Sequence, residues 1–451
     1  MHSPRADVLL AITEHLTDDA ARGKGLNPMP TNGHVALSNF RILERISASV
    51  PAVPHLETEV QQALAGLSLP VERLRGRTIA VAVGSRGIAS LQEIVRAMCG
   101  WLKAQGSRVF LFPAMGSHGG ATAEGQRQIL ADYGITPEQV GVEVRASMAT
   151  VCLGTAPEGF RVFMDRNAWE ADAVVVLNRV KPHTDFSGKI ESGLLKMMAV
   201  GMGKEDGARE THRWGWKYGF EQVIRTMSAV TLASGKILCG IAVVENELHQ
   251  ICALRAARPE GVAALEEESL KMARPIVPRI PFSAFHLLVV DEMGKNISGT
   301  CLDTKVIGRG VELQPGEAPE ISLIYVRDLT QESKGNAVGI GFADVIHERL
   351  YQKVDFEKTY LNARVSLNPA AARLPIHLPS DREALDLALG HLGTPEPEKQ
   401  RIVWIRNTLE LNRLAVSAGL ASEAADLTTW RFVPQSCQLH FDSAGNTTSP
   451  L

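Results

Sequence analysis

The stretch Val174-Val175-Val176-Leu177-Asn178-Arg179-Val180-Lys181-Pro182-His183 constrains the fold more than any other part of the chain. An unbroken apolar run bounded by polar residues is the pattern of a parallel strand covered on both faces, and Pro182 has no amide to continue its ladder. The chain must turn there. Beyond the turn come His183, a segment Thr184-Asp185-Phe186-Ser187-Gly188, an amphipathic run around Lys196 (Leu194, Leu195, Met197, Met198, Val200), and then His212. Ligands of open α/β sheets sit just past the carboxyl ends of strands, so His183 stands where chemistry is expected.

The same alternation runs upstream and downstream. Strands are predicted at Thr78 to Val83, Arg108 to Phe112, Val142 to Val144, Arg161 to Met164 and Ile237 to Val244, with helices at Leu91 to Ala104, Thr122 to Tyr133, Phe220 to Ala233 and Gly261 to Ala273. Strands alternating with helices of this length predict a mostly parallel sheet joined by right-handed crossovers. Pro275, Pro278 and Pro281 then punctuate the chain and mark a domain boundary. Past them, strands at Leu287 to Val290 and Ile321 to Val326 and helices at Phe342 to Leu350, Phe356 to Ala363 and Arg382 to Leu392 repeat the style. The expectation is an α/β protein of two α/β domains, residues 76–275 and 276–451, with an active-site cleft between them. Residues 1–75 form a lead-in expected to pack on the first domain, with a helix over Ala6 to His15, a loop near Gly23 to Gly33 and a helix from Glu57 to Leu67.

Composition narrows the partners. A chain of 451 residues exceeds one ordinary core, and a formal charge of -3 with no Lys/Arg block argues against nucleic acid or an anionic membrane. Six scattered cysteines without a C-x-x-C pair point to a reducing compartment. No apolar run approaches the roughly 18 residues of a membrane span, and the N-terminus lacks the order of a signal peptide. A cytoplasmic protein is expected, with small molecules or copies of itself as partners.

Three features follow predicted strand ends: Arg86 after the first strand, His118 after the second, and His183. Parallel strands put these on one edge, where they can line one cleft. Arginine's planar fork suits a carboxylate, and histidine exchanges a proton near neutral pH. Two histidines on opposite faces of a bound carbon are what inversion at that carbon requires. Each residue also has a plainer reading. A lone loop arginine more often pairs with a surface carboxylate. The loop Gly116-Ser117-His118-Gly119-Gly120 can instead cradle phosphate through backbone amides. His183 can be a satisfied turn histidine, Lys196 a solvated lysine, and His212 a surface residue between Arg209 and Arg213.

The joint order of these pieces resembles the nickel-dependent lactate racemase family. The matching residues are Gly84-Ser85-Arg86, Gly116-Ser117-His118 with Thr122 behind it, Pro182-His183, Phe186-Ser187-Gly188, Ser192-Gly193-Leu194-Leu195-Lys196, and Gly207 through Arg209-Glu210-Thr211-His212. The resemblance covers about residues 70 to 275 well and the rest poorly. The resemblance implies a nickel-pincer nucleotide cofactor bound covalently to lysine, with Lys196 as tether, Ser85 and Gly188 beside the cofactor, and His212 as protein ligand to nickel. It implies His118 and His183 as the acid/base pair on the hydroxyl of an α-hydroxy acid, Arg86 on its carboxylate, and a second-domain lysine, Lys295 or Lys305, completing the substrate site. Cofactor-synthesis enzymes would then be partners.

The chain departs from the family pattern at three places. Lys189-Ile190-Glu191 reads as an insertion, which makes Lys189 a rival tether. Gly119 and Gly120 follow His118 where the family has Arg and Pro. The aromatic partner of the second-domain lysine is missing, so a hydroxy acid other than lactate is expected. The functional alternatives are a sugar-acid 2-epimerase with the same cofactor, and a non-catalytic homologue that binds a metal or carboxylate.

Overall fold

The computed structural model describes residues 34–48, 50–85, 87–184, 186–310, 313, 316–393 and 396–451; the expected helix at Ala6 to His15 and loop at Gly23 to Gly33 lie outside them. The described chain enters through β1 (Phe40–Arg45) and the helix Leu56–Gly66. It continues through β2 (Thr78–Val83), β3 (Arg108–Pro113), β4 (Glu143–Val144), β5 (Thr150–Thr155), β6 (Arg161–Asp165), β7 (Ala173–Arg179), β8 (Ile237–Glu245) and β9 (Ile251–Ala257). Among the described residues these build a six-stranded sheet of order β4-β3-β2-β7-β8-β9, with β5 and β6 as a separate ribbon. The order steps outward from β2 in both directions, which makes the β2/β7 junction the switch point where ligand crevices open. Within the six-stranded sheet all pairs are parallel except β8 with β9, and the β5/β6 ribbon is antiparallel.

The pleat sorts the side chains of each central strand to opposite faces. Ile79, Val81, Val83, Val175 and Leu177 pack with the helices Leu56–Gly66 and Leu91–Ala104 on one side. Ala80, Ala82, Val174 and Val176 meet Leu194, Leu195, Met198, Ile224 and Val262 on the other. Both faces being covered explains why β7 reads as a continuous apolar run.

The second domain holds β10 (Ala284–Val290), β11 (Glu320–Val326), β12 (Val345–His347), β13 (Ile376–Leu378), β14 (Ile402–Ile405), β15 (Arg413–Ser417) and β16 (Trp430–Cys437). Its eight-stranded sheet, among the described residues, has the order β13-β12-β11-β10-β14-β15-β1-β16. The first five strands run parallel and the rest antiparallel. The two α/β domains with mostly parallel sheets are thus present.

Two expectations are corrected. The lead-in does not pack on the first domain as a unit: β1 lies between β15 and β16 of the second sheet, while the helix Leu56–Gly66 joins the first core. Phe40, Ile42 and Leu43 alternate onto that sheet's two cores, a period too short to assign to a sheet by pattern alone. Likewise Phe342 to Leu350 is not one helix. Val345–His347 is strand β12, paired to β11 and β13, and only Glu348–Tyr351 is helical, because β-branched Val345 and Ile346 find ladders on both sides.

Candidate functional site

The site is assembled on the carboxyl edge of the first sheet. After β2, Ser85 reaches the loop after β3, where its hydroxyl hydrogen-bonds Nδ1 of His118. Tyr133, on the far side of the next helix, donates to the Ser85 carbonyl at 2.7 Å and fixes that turn. The His118 loop is a tight glycine structure. Gly119 has φ +66°, and a Cβ there would stand 2.6 Å from the backbone carbon of Gly125. Only glycine tolerates both. Thr122 caps the following helix, Ala123–Asp132, by accepting from Gly125 N at 3.0 Å.

After β7, Pro182 ends the strand as expected and the chain makes a loop closed by a two-way backbone bridge, Lys181 N to Ser192 O at 3.0 Å and Ser192 N to Lys181 O at 3.2 Å. The residues read as an insertion organise this loop. Ile190 and Glu191 are fully buried, and the Glu191 carboxylate accepts from His183 N at 2.5 Å and Gly188 N at 3.3 Å. It also pairs with Arg274 at 2.8 Å and with Lys305 of the second domain at 2.6 Å. Sequence reasoning missed Glu191 as the organiser of this loop, because its cation partners Arg274 and Lys305 lie far away in the chain. Lys189, by contrast, is exposed, with its backbone amide on Glu221.

Next comes a short helix, Leu194–Lys196, continued by a wider turn over Met197–Gly201. Asn178 Nδ2 anchors its start to the end of β7 through the Gly193 carbonyl at 2.8 Å, and buried Glu266 accepts from Leu195 N at 2.7 Å. A Cβ at Gly193 would lie 2.4 Å from the Glu266 carboxyl carbon, so glycine admits this carboxyl. Burial pushes Glu266 up to about 7 against the pull of the Leu195 and Leu194 amides. The helix delivers the ammonium of Lys196 onto Nε2 of His183. Loss of solvent, then the charges of Lys196, Lys181 and Lys305 and the imidazole of His212, holds His183 well below the ordinary histidine range. Its imidazole is neutral at neutral pH.

His212 sits two turns into the helix Lys204–Tyr218. Its ring meets Phe220 edge-on at 6.0 Å, Phe220 stacks on Phe186 at 5.5 Å, and Phe186 lies 4.7 Å from His183. An aromatic ridge therefore joins the two histidines. The Lys196 helix also touches both earlier loops: a Cβ on Gly84 would come 3.0 Å from Met197 Cε, and Gly116 N donates to Gly201 O at 3.2 Å. Thus the loops that carry Ser85 and His118 touch this helix through Gly84 and Gly116, His183 meets Lys196 on it, and the aromatic ridge joins His212 to His183. Arg86 lies outside the described residues.

The two second-domain lysines separate clearly. Lys305 reaches the His183 loop through Glu191 and stands 3.6 Å from Glu317, whereas the Lys295 ammonium bonds Asn362 at 3.1 Å and the Gly299 carbonyl within its own domain. Thr304 donates across the cleft to the Thr184 carbonyl, and Ser187 donates to Glu317 at 3.1 Å. A cavity of about 90 Å³ continues the cleft, lined by Arg179, Lys181, Arg279 and Lys305 among others. Its walls carry more cations than anions, which suits an anionic ligand.

Residues 37–214 match the family model described as the lactate racemase N-terminal domain. Among solved structures, the lactate racemase apoprotein from Thermoanaerobacterium thermosaccharolyticum aligns with a TM-score of 0.50 at 15% identity, covering 81% of this chain and 94% of that one. That extent passes beyond the matched N-terminal segment, so the likeness in fold includes the second domain. No curated protein matches the sequence.

Proposed function

Since residues 37–214 match the family model of the lactate racemase N-terminal domain, we propose that the protein is a racemase or epimerase of an α-hydroxy acid other than lactate, working with a lysine-tethered nickel-pincer nucleotide. The observation that carries this reading is the contact between Lys196 and the neutral imidazole of His183, on a helix that the loops after β2 and β3 also touch.

The donor set suits such a group. Among the described residues no three His, Cys, Asp or Glu side chains gather as a metal cage, so a metal beside His212 must bring most of its donors in an organic ligand. Lys196 supplies the amine for attachment and His212 an imidazole nitrogen. When bound, the cofactor supplies an acceptor for the substrate's α-hydrogen and its electron pair, which avoids a carbanion.

The chain's own residues do the rest. His183, kept neutral by its surroundings, takes the proton of the substrate hydroxyl as the carbonyl forms. His118, with Nδ1 held by Ser85, has its ring orientation fixed and presents Nε2 for the same proton transfer on the opposite face. Arg86 binds the carboxylate, and Lys305 adds positive charge from the second domain. Closure of the second domain over the His183 loop, through Lys305 and Thr304, keeps water from the keto acid while both faces are sampled.

The test is to make the protein alongside cofactor-synthesis enzymes, then measure intact mass, nickel content and stereochemical exchange across a panel of α-hydroxy acids that includes sugar acids. A covalent adduct, about one nickel per chain and exchange of one acid's centre are expected. Unmodified, nickel-free protein from such a host would sink the reading.

A further inference from the structure

Beneath the His118 loop lies a charged group that the proposed chemistry does not use. Lys204 and Asp165 are both fully buried and form an ion pair at 3.0 Å. The same ammonium donates to Gln126 Oε1 at 3.0 Å and to the carbonyl of Pro113, the last residue of β3. Lysine only donates, so Gln126 must turn its oxygen to Lys204 and its amide nitrogen the other way. That nitrogen donates to the carbonyls of Gly116 at 2.8 Å and His118 at 3.2 Å. Gln126 is itself fully buried. A continuous chain of contacts therefore runs from Asp165 through Lys204 and Gln126 to the backbone of His118.

The other end of Lys204 is equally telling. It is the first residue of the helix that carries His212, and its φ is +54°, a left-handed conformation that costs a non-glycine residue energy. Such strain persists only where surrounding contacts over-determine it, and here the side chain has three. Asp165 holds the same turn from a second direction, its amide donating to Met202 O at 2.7 Å.

We propose that Lys204 and Gln126 are positioning residues: one buried ammonium holds the start of the His212 helix and, through Gln126, the carbonyls that aim His118, so that the two histidines stay in register. This rests on the acid/base role proposed for His118. Neither residue touches the substrate region, so their effect must pass through the loop.

The decisive variant is Gln126→Glu, which as a carboxylate still accepts from Lys204 but can donate to neither carbonyl. Gln126→Leu removes both functions, and Lys204→Met tests the ammonium. Two readouts separate the ideas. In the cofactor-free protein, amide exchange of residues 116–121 should rise about tenfold in Gln126→Glu while exchange in β7 stays as in wild type, which loss of about one hydrogen bond's worth of protection implies. In the loaded protein, kcat should fall between about tenfold and a hundredfold at unchanged KM and unchanged adduct and nickel, as small misplacements of a catalytic group do. Unchanged exchange of the loop in Gln126→Glu overturns the proposal, as does unchanged kcat in an active wild-type background. An inactive but adduct-free wild type would instead count against the functional reading, and the exchange measurement would still decide the positioning role. Should Lys204→Met fail to fold, the two Gln126 variants carry the test.

Discussion

Lys305 of the second domain and Glu191 of the loop beneath His183 form an ion pair of 2.6 Å whose carboxylate is fully buried. Glu191 also holds Arg274 and the amides of His183 and Gly188, so one side chain sets the shape of the His183 turn and docks the opposing domain. Removing one partner of a buried charged cluster leaves the others uncompensated, at a cost of about 3–5 kcal/mol. Glu191→Gln should therefore lower the melting temperature by several degrees, and the double variant Glu191→Gln with Lys305→Met should recover part of the loss. Thermal unfolding of the purified protein checks this. An unchanged melting temperature in the single variant refutes it.

The tether and ligand assignments predict a pattern across three variants. Lys196→Ala should lose the covalent adduct. His212→Ala should keep the adduct but hold nickel weakly. Lys189→Ala should retain both, since Lys189 is exposed and its neighbours Ile190 and Glu191 are committed to the loop interior. Peptide mapping and metal analysis read the pattern directly, and an adduct found on Lys189 overturns it.

For the proton transfers, His118→Ala and His183→Ala should each lower turnover by about 10²- to 10⁴-fold with the fold intact. Attachment of the cofactor removes the Lys196 charge, but burial, the largest cause, and the cations Lys181 and Lys305 still hold His183 below the usual histidine range, so the base form persists as pH falls below 6.5. The acid limb of the kcat/KM profile should accordingly lie below the pH of an exposed histidine, and Lys305→Met should shift it upward by removing a nearby cation. A limb at or above pH 6.5 in the wild type contradicts the assignment.

Glu266 makes a prediction about stability. Its folded carboxyl titrates at about 7, against an ordinary value of 4.5. The folded state thus binds the proton more tightly than the unfolded chain does. The stabilisation from this group is complete below about pH 4.5 and is lost as pH rises through about 7. Glu266→Gln keeps an oxygen for Leu195 N and removes the titration. The difference in stability between wild type and variant should shift against the wild type from pH 5 to pH 8. Parallel pH profiles of chemical denaturation for the two proteins speak against it.

Much of this protein was determined locally. The β7 run, the Pro182 turn and the glycines at 116 and 119 encode their structures within a few residues, because strand covering, a missing amide and positive φ are short-range demands. The order of motifs along the first domain therefore marked its fold and most of its candidate site before any coordinates. Only the tertiary structure decided what depends on distant partners. It placed β1 between β15 and β16, turned Lys305 rather than Lys295 to the His183 loop, and brought Glu191, Glu266 and the Lys204–Asp165 pair into the interior. The reason is physical. A buried charge is stabilised by groups far away in sequence, and a strand's choice of sheet depends on which edge is open to it, so neither leaves a periodic trace along the chain.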